Sequence, residues 1–394
     1  METKQRIAAV IIIPVILSFL FIVGCNTNTY LGRWVIWNRS GINDYQKFPF
    51  YAFNASSEPF YFQENHHNLH DFFDTLLVSE KRNKKTPLGQ ILEKSQTTAF
   101  IIIRNDTILY ERYLSGYDKN SINTSFSTAK SITSLLAGAA IDDGFITSET
   151  NKVIDYLPEL LHIDPNYSHL EISHLLNMRS GIQFKDHDLP WGDKPKAYYH
   201  PRLRERVLQL PLTRLPNENF KYNSYNPILI GLIIERTTGL SPAKYFEKRI
   251  WDQLGMEYSG SWSMDSENSK TVKMESGLNL RAIDFAKFGR LVLNNGNWNG
   301  QQIVSEQWIA KSLAIIPEHN VTNFGDEIYY QKSWWLFSQN KQNPYIISAW
   351  GHQGQYLYLF PEKQMIIVRM GKKTGNVQSW GRIFREIAYG ESFY

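Results

Sequence analysis

Strand signals at both ends of the chain, with helices and loops between them, constrain this sequence more than any other feature. "TAFIIIRNDTILYERYL" sets two β-rich runs, Thr98–Arg104 and Thr107–Tyr113, about a short polar turn, which is the pattern of a hairpin. Far downstream, "GQYLYLFPEKQMIIVRM" (Gly354–Met370) places two more alternating runs about a "PEK" turn, and "SWGRIFREIAYG" supplies a terminal helix. Between them stand the helix signals "LEISHLLNM", "NPILIGLIIERTTG" and "LRAIDFAKFGRLVLNNG". The distant strands predict one antiparallel sheet formed by N- and C-terminal segments, with an all-α subdomain at about residues 147–262 inserted between them. The fold class is α/β in the broad, α+β sense. With 394 residues, 42% hydrophobic and 14% aromatic, the chain can bury a core of that size.

The first 25 residues are read as a separate targeting segment. Lys4 and Arg6 precede an apolar run from Ile7 to Val23, which closes on Gly24 and on Cys25, the only cysteine. Ile22-Val23-Gly24-Cys25 resembles the lipobox of bacterial lipoproteins, in which the cysteine is lipidated and the signal is cleaved before it. An uncleaved membrane anchor or a plain cleaved signal is the alternative. All three put the body of the chain outside the cytoplasm, at the periplasm or cell surface, and the first two tie it to a membrane. A single cysteine leaves no internal disulfide. The charge is balanced, 42 basic against 38 acidic residues, which gives no case for a nucleic-acid partner.

Residues 26–97 read as an N-terminal extension to a main domain at 98–394. The extension is rich in aromatics and ends in a helical pattern at "HDFFDTLLVSEK". His66, His67, His70 and Asp71 invite a metal-site reading. The favoured reading is a solvated helix start, since no second ligand pair, HExxH or CxxC accompanies them, and no metal or other cofactor is expected.

The stretch most suggestive of chemistry is "FSTAKSITSLLAGAAIDDG" (Phe126–Gly144), where a serine stands three residues ahead of a lysine at the start of an apolar helix. A serine hydroxyl needs a base within reach, and residues i and i+3 share a helix face, so Ser127 and Lys130 can meet. Burial by the apolar run that follows would lower the lysine pKa from its ordinary value toward one useful to a base. The helix start also offers backbone N–H groups to an oxyanion. Taken alone, S-x-x-K also fits a capping serine beside a surface lysine.

That stretch, with "YLPEL", "HLLNMRSGI", "FKYNSYNPILIGLIIERTTG", "GLNLRAIDFAKFGRL" and "GHQGQYLYLFPEKQMIIV" in this order, resembles the serine β-lactamase-related family over roughly Thr98 to Tyr389. Its nearest branch holds class C β-lactamases, D-alanyl-D-alanine peptidases, family VIII-type esterases and 6-aminohexanoate-dimer hydrolases. The motif form is closest to the last of these, and the resemblance implies the β-lactamase/transpeptidase-like fold. It also implies that Tyr222 of "KYNSYN" is the second catalytic residue, with Ser224 where asparagine is commonest. The competing parse makes Ser224-Tyr225-Asn226 an S-x-N motif and leaves Tyr222 merely packed. For the third motif, "GKKTGN" (Gly371–Asn376) spells K-T-G, but only His352-Gln353-Gly354 opens a strand that is followed by a hairpin and a terminal helix. The resemblance then assigns Ser224, His352 and Gly354 to substrate binding, Gly354 through close approach, and gives the oxyanion hole to the backbone N–H groups of Ser127 and Gln355. Trp191, Tyr198, Tyr199, Trp334 and Trp335 sit on loops that border the cleft in relatives, and either substrate contact or core packing suits them.

These readings converge on an extracytoplasmic serine hydrolase that cleaves a small ester or amide through an acyl-enzyme, in the manner of an esterase or linear amide hydrolase. A D-alanyl-D-alanine carboxypeptidase or β-lactamase is the alternative within the family, and a non-catalytic acyl-binding sensor the alternative outside it.

Overall fold

The computed structural model describes residues 26–390 except 68, 83, 323–326 and 340. The apolar run Ile7–Val23 and Cys25 lie outside the described residues. Among those described, the main sheet has eight strands: β1 (Gln63–Glu64), β2 (Thr97–Arg104), β3 (Thr107–Tyr113), β4 (Glu327–Gln331), β5 (Trp334–Ser338), β6 (Ile346–Gly351), β7 (Gln355–Phe360) and β8 (Met365–Gly371). Their spatial order is β4-β5-β6-β7-β8-β2-β3-β1. The two ends of the chain therefore meet in mid-sheet, where β8 pairs antiparallel with β2 in a register running from Met365 opposite Arg104 to Met370 opposite Ala99.

Strand β2 is apolar from Ala99 to Ile103 because both of its faces are covered there. Ala99, Ile101 and Ile103 join the large core beneath the helices. Phe100 and Ile102 join a second core on the opposite face. Four helices matter for the site: α1 (Ala129–Asp142), α2 (Tyr225–Thr238), α3 (Ala282–Leu293) and α4 (Trp380–Tyr389). Helix α3 lies on the sheet so closely that a Cβ on Gly289 would meet Leu359 and Ile366. Helix α4 closes the other face, with Phe384 4.7 Å from Tyr358 between ring centroids. Helix α1 is buried on every side from Ala129 to Ala140, which accounts for its small and apolar composition. Most of the region from Val153 to Leu254 is short helices gathered about α2.

The structure departs from the sequence reading in three places. The sheet is not wholly antiparallel, since β1 joins β3 in parallel at its edge. Residues 26–97 are also no appendage. Phe50–Phe53 pairs with Gly260–Ser263, and these strands form a second, four-stranded sheet with Leu278–Leu280 and Asn123–Thr124. Finally, "HDFFDTLLVSEK" is helical only at His70–Thr75. Leu77–Ser79 is a strand paired with Lys85–Pro87, and the Ser79 N–H and hydroxyl both donate to the Glu386 carboxylate of α4. A short apolar run carries too little periodicity to separate the two states, and tertiary pairing decided it.

Candidate active site

Ser127 sits in a single 3-10 turn, Phe126–Thr128, that leads directly into α1. Phe126 takes a left-handed φ of 50°, uncommon for a bulky residue, and so turns the chain sharply just before the serine. Its buried ring is wedged between His352 (5.4 Å, edge-on) and Tyr198 (5.9 Å). The flanking residues are buried while Ser127 itself stays partly exposed, so its hydroxyl is what the turn offers to the cleft.

Lys130, one turn on and 1% exposed, donates from Nζ to Ser127 Oγ at 2.9 Å and to the Glu275 carbonyl at 2.8 Å. Burial lowers its pKa from 10.5 to about 7; the Glu275 charge opposes that shift and Lys273 adds to it. Near neutral pH a large share of this amine is therefore unprotonated and able to accept the serine proton. Tyr222 completes the group, with the Lys130 ammonium 5.1 Å from its ring centroid. Burial pushes the Tyr222 phenol up to about 12, against a smaller pull downward from a hydrogen bond with Ser127. It stays protonated at neutral pH and suits the part of proton donor better than that of base. Trp335 stacks on it at 6.0 Å and 24°, and Trp350 stacks on Trp335 at 4.3 Å and 10°.

Two residues of the rival parse are engaged by other partners. Tyr225 is buried and donates to Asp193 at 3.0 Å, and Asn226 is tied to Ser180 and to the Leu175 carbonyl. Ser224 is the partly exposed N-cap residue of α2 and makes no capping bond with its side chain.

The turn His352–Gly354 joins β6 to β7. Gly351, just before it, lies against the Ser125 carbonyl and Thr128, so the start of β7 abuts the serine turn. The Gln355 side chain holds it there, donating to the Gly371 carbonyl at 2.7 Å and accepting from the Gly371 N–H at 3.0 Å. His352 is exposed on one side and packed on Phe126 on the other. Desolvation lowers its pKa, with the Asp188 and Asp44 charges working against that. Gly354 has a φ of +83°, and the space a Cβ would take there belongs to the Arg369 guanidinium, so packing behind the turn by itself requires a glycine. The K-T-G run Lys373–Gly375 is an exposed loop. Of the aromatic residues read as cleft loops, Trp334 and Trp335 lie on β5 and Tyr198 and Tyr199 on the helix Asp193–Tyr199. Trp334 is core, whereas Trp191 stands 60% exposed.

Two features went unread in the sequence. Below Lys130 lies a buried ion pair, Lys273–Glu275 at 2.9 Å, both residues at most 2% exposed. Glu275 also accepts from Ser276 Oγ at 2.7 Å, and Lys273 donates to the Tyr198 carbonyl at 2.6 Å. The only signal was two charges set into the otherwise apolar and small "VKMESGLNL". The second feature is the extension, which runs beside the site. Asp44 accepts from the Tyr198 hydroxyl at 2.8 Å, the Ser40 carbonyl accepts from Gln353 at 2.8 Å, and the Phe48 ring lies 4.7 Å from the Lys273 ammonium.

A family model, the β-lactamase family, matches residues 90–390. The chain belongs to the β-lactamase family. As a member it is a serine hydrolase, and it is 26% identical over 299 residues to the 6-aminohexanoate-dimer hydrolase of Paenarthrobacter ureafaciens, covering 72% of this chain and 74% of that one. Among solved structures, a Bacillus anthracis protein classed as a 6-aminohexanoate-dimer hydrolase superposes with a TM-score of 0.77 at 23% identity, over 91% of this chain and 94% of that one. A penicillin-binding protein from Bacillus halodurans superposes with a TM-score of 0.59 at 17% identity, over 73% and 96%. These likenesses establish the β-lactamase/transpeptidase-like fold. The family's mixture of helices and a sheet closed by both chain ends is the arrangement described above.

Proposed function

We propose that this β-lactamase-family member hydrolyses a small linear amide or ester, as the 6-aminohexanoate-dimer hydrolases do in name, through an acyl-enzyme on Ser127. The observation that carries this reading is the 2.9 Å contact between Ser127 Oγ and a fully buried lysine amine. Ser127 Oγ attacks the carbonyl carbon while Lys130 takes its proton. The N–H groups of Ser127 and Gln355 hold the oxyanion, and Tyr222 hands a proton to the departing amine or alcohol. Water then attacks the acyl-enzyme, gives its proton to the same Lys130–Tyr222 pair, and releases the acid with Ser127 restored. The apolar run Ile7–Val23 behind Lys4 and Arg6, closing on Cys25, supports a place outside the cytoplasm, held to a membrane by lipid or anchor.

A fluorophosphonate probe should label the folded protein on Ser127, and Ser127→Ala should remove the label. A folded wild type that takes no label would make the chain a non-catalytic acyl binder. His352 argues for linear substrates over β-lactams. A largely neutral imidazole offers a hydrogen bond where β-lactamases hold a fixed cation against the β-lactam carboxylate, a loss of about one to two decades in kcat/KM. A comparison of p-nitrophenyl esters and short amides with a chromogenic cephalosporin tests this choice.

The buried pair beneath Lys130 gives a second test. Glu275→Gln removes the charge that favours the protonated amine and keeps Lys273, so the acid limb of the kcat/KM–pH profile should move to lower pH. Lys273→Met does the reverse and should move it up. Limbs that stay in place while activity merely falls would reduce the pair to packing.

A further inference from the structure

The helix Tyr30–Trp37, which follows Cys25 within a few residues, carries its polarity the wrong way round for a surface helix. Arg33 points inward, with its guanidinium on the carbonyls of Asp265 and Tyr199. The exposed residues of this helix are Leu31 (46%), Val35 (55%) and Ile36 (47%), all apolar. The Tyr30 hydroxyl donates to the Pro190 carbonyl at 2.6 Å, which brings the helix to the loop whose Leu189 is 50% and Trp191 60% exposed. Five of the thirteen large apolar side chains exposed among the described residues thus stand on these two neighbouring segments. So many large apolar groups so placed are an interaction surface and not the ordinary scatter of a protein exterior.

We propose that this rim, Leu31, Val35 and Ile36 with Leu189 and Trp191, seats on the lipid bilayer and turns the mouth of the active site toward it. The proposal rests on the membrane-anchored reading above. Position supports it. From Cys25 to Tyr30 an extended chain reaches no more than about 18 Å, so a lipid or anchor there keeps the helix at the bilayer surface. No helix among the described residues is long and apolar enough to cross a membrane, and an eight-residue helix spans only about 12 Å. It therefore lies in the interface, as short helices with one apolar face do. The helix also lies near the cleft, because its Trp37 packs 6.0 Å from Tyr199 between ring centroids, and the adjacent Tyr198 ring lies 5.9 Å from that of Phe126, the residue before Ser127. A bilayer-seated rim would admit to Ser127 those esters or amides whose apolar tails partition into the lipid surface.

The test uses the full chain, expressed with its N-terminal segment, in phosphatidylethanolamine and phosphatidylglycerol vesicles that contain a lipid with a diazirine in its acyl chain. After photolysis, the cross-linked peptides are mapped by mass spectrometry. Cross-links should fall on peptides spanning Leu31–Ile36 and Leu189–Trp191. Peptides bearing Phe145, Leu161 and Ile163, apolar and comparably exposed elsewhere, serve as controls and should stay unlabelled. Changing Leu31, Val35 and Ile36 to serine should cut the yield at Leu189–Trp191 at least about tenfold, with co-flotation and solution esterase activity unchanged. Cross-links confined to residues 1–25 would overturn the docking while leaving the anchor in place, and equal labelling of the controls would also overturn it. A chain that fails to float overturns the anchor and the docking together, and a rim that stays unlabelled in a chain that sediments as a dimer, the dimer being lost on changing Leu31, Val35 and Ile36 to serine, would overturn the docking and make the occupant a second copy.

Discussion

Lys130→Met is expected to lower kcat/KM by about two to four decades, the usual worth of a positioned general base, and yet to give a protein more stable at neutral pH than its parent. The sign follows from the depressed amine. In the fold its pKa is about 7 against 10.5 when unfolded. Below pH 7 both states carry the proton, and the cost of burying the charge is felt in full. Between 7 and 10.5 the unfolded chain holds a proton that the folded chain has given up, so stability of the parent rises with pH across that window. Above 10.5 the penalty is gone. A 3.5-unit shift corresponds to about 5 kcal/mol at most, reduced by the two hydrogen bonds that the methionine forfeits. Denaturant unfolding at pH 6 and at pH 10 checks it: the advantage of the variant should be largest at pH 6 and shrink toward pH 10. An advantage that does not vary with pH would mean that the amine is not held as described.

Arg369→Met should be the most damaging change outside the reacting groups. This guanidinium is fully buried, lies 4.1 Å from the Trp380 ring centroid, and donates to the carbonyls of Gly354 (2.7 Å), Lys373 (2.8 Å) and Ser95 (3.2 Å) and to the Thr97 hydroxyl (3.1 Å). Its partners are dipoles and not a carboxylate, and burial lowers its pKa to about 9, so it remains a cation at neutral pH. Removing it strands buried acceptors that had held the charge, for a loss of about 3 to 5 kcal/mol. It also frees the turn that sets the Gln355 N–H. A fall in melting temperature and in kcat/KM is expected together. Lys373→Ala, which keeps the carbonyl and alters only an exposed side chain, should change neither. If Lys373→Ala instead cripples turnover while His352→Ala does not, the turn His352–Gly354 is not the third motif.

Local sequence was enough for the parts of the site that one turn of chain can define. Ser127 and Lys130 could be paired from spacing alone because three residues on a helix fix their distance. The hairpins β2–β3 and β7–β8 were legible because alternation and turn residues agree. What stayed hidden depended on where loops travel. Nothing in "VKMESGLNL" says that it passes under α1, where a carbonyl of Glu275 caps the amine. Trp334 and Trp335 looked alike, but strand alternation put one in the core and the other against Tyr222. Gly354 was legible as a glycine the turn needs, but not the arginine from β8 behind it, which only the folded sheet brings there.

The extension has a consequence for how the enzyme comes into being. The Ser40 carbonyl waits for Gln353, 313 residues downstream, the Ile42 carbonyl for the Thr124 N–H, and β2 for its partner β8. A segment early in the sequence is thus completed by segments far downstream. Contacts of such sequence separation form late and slowly, so a growing or partly folded chain carries Ser127 and Lys130 without a Gln355 strand to stand beside them. Hydrolytic competence is a property of the closed fold, and until the distant segments meet the molecule is an inert precursor of itself.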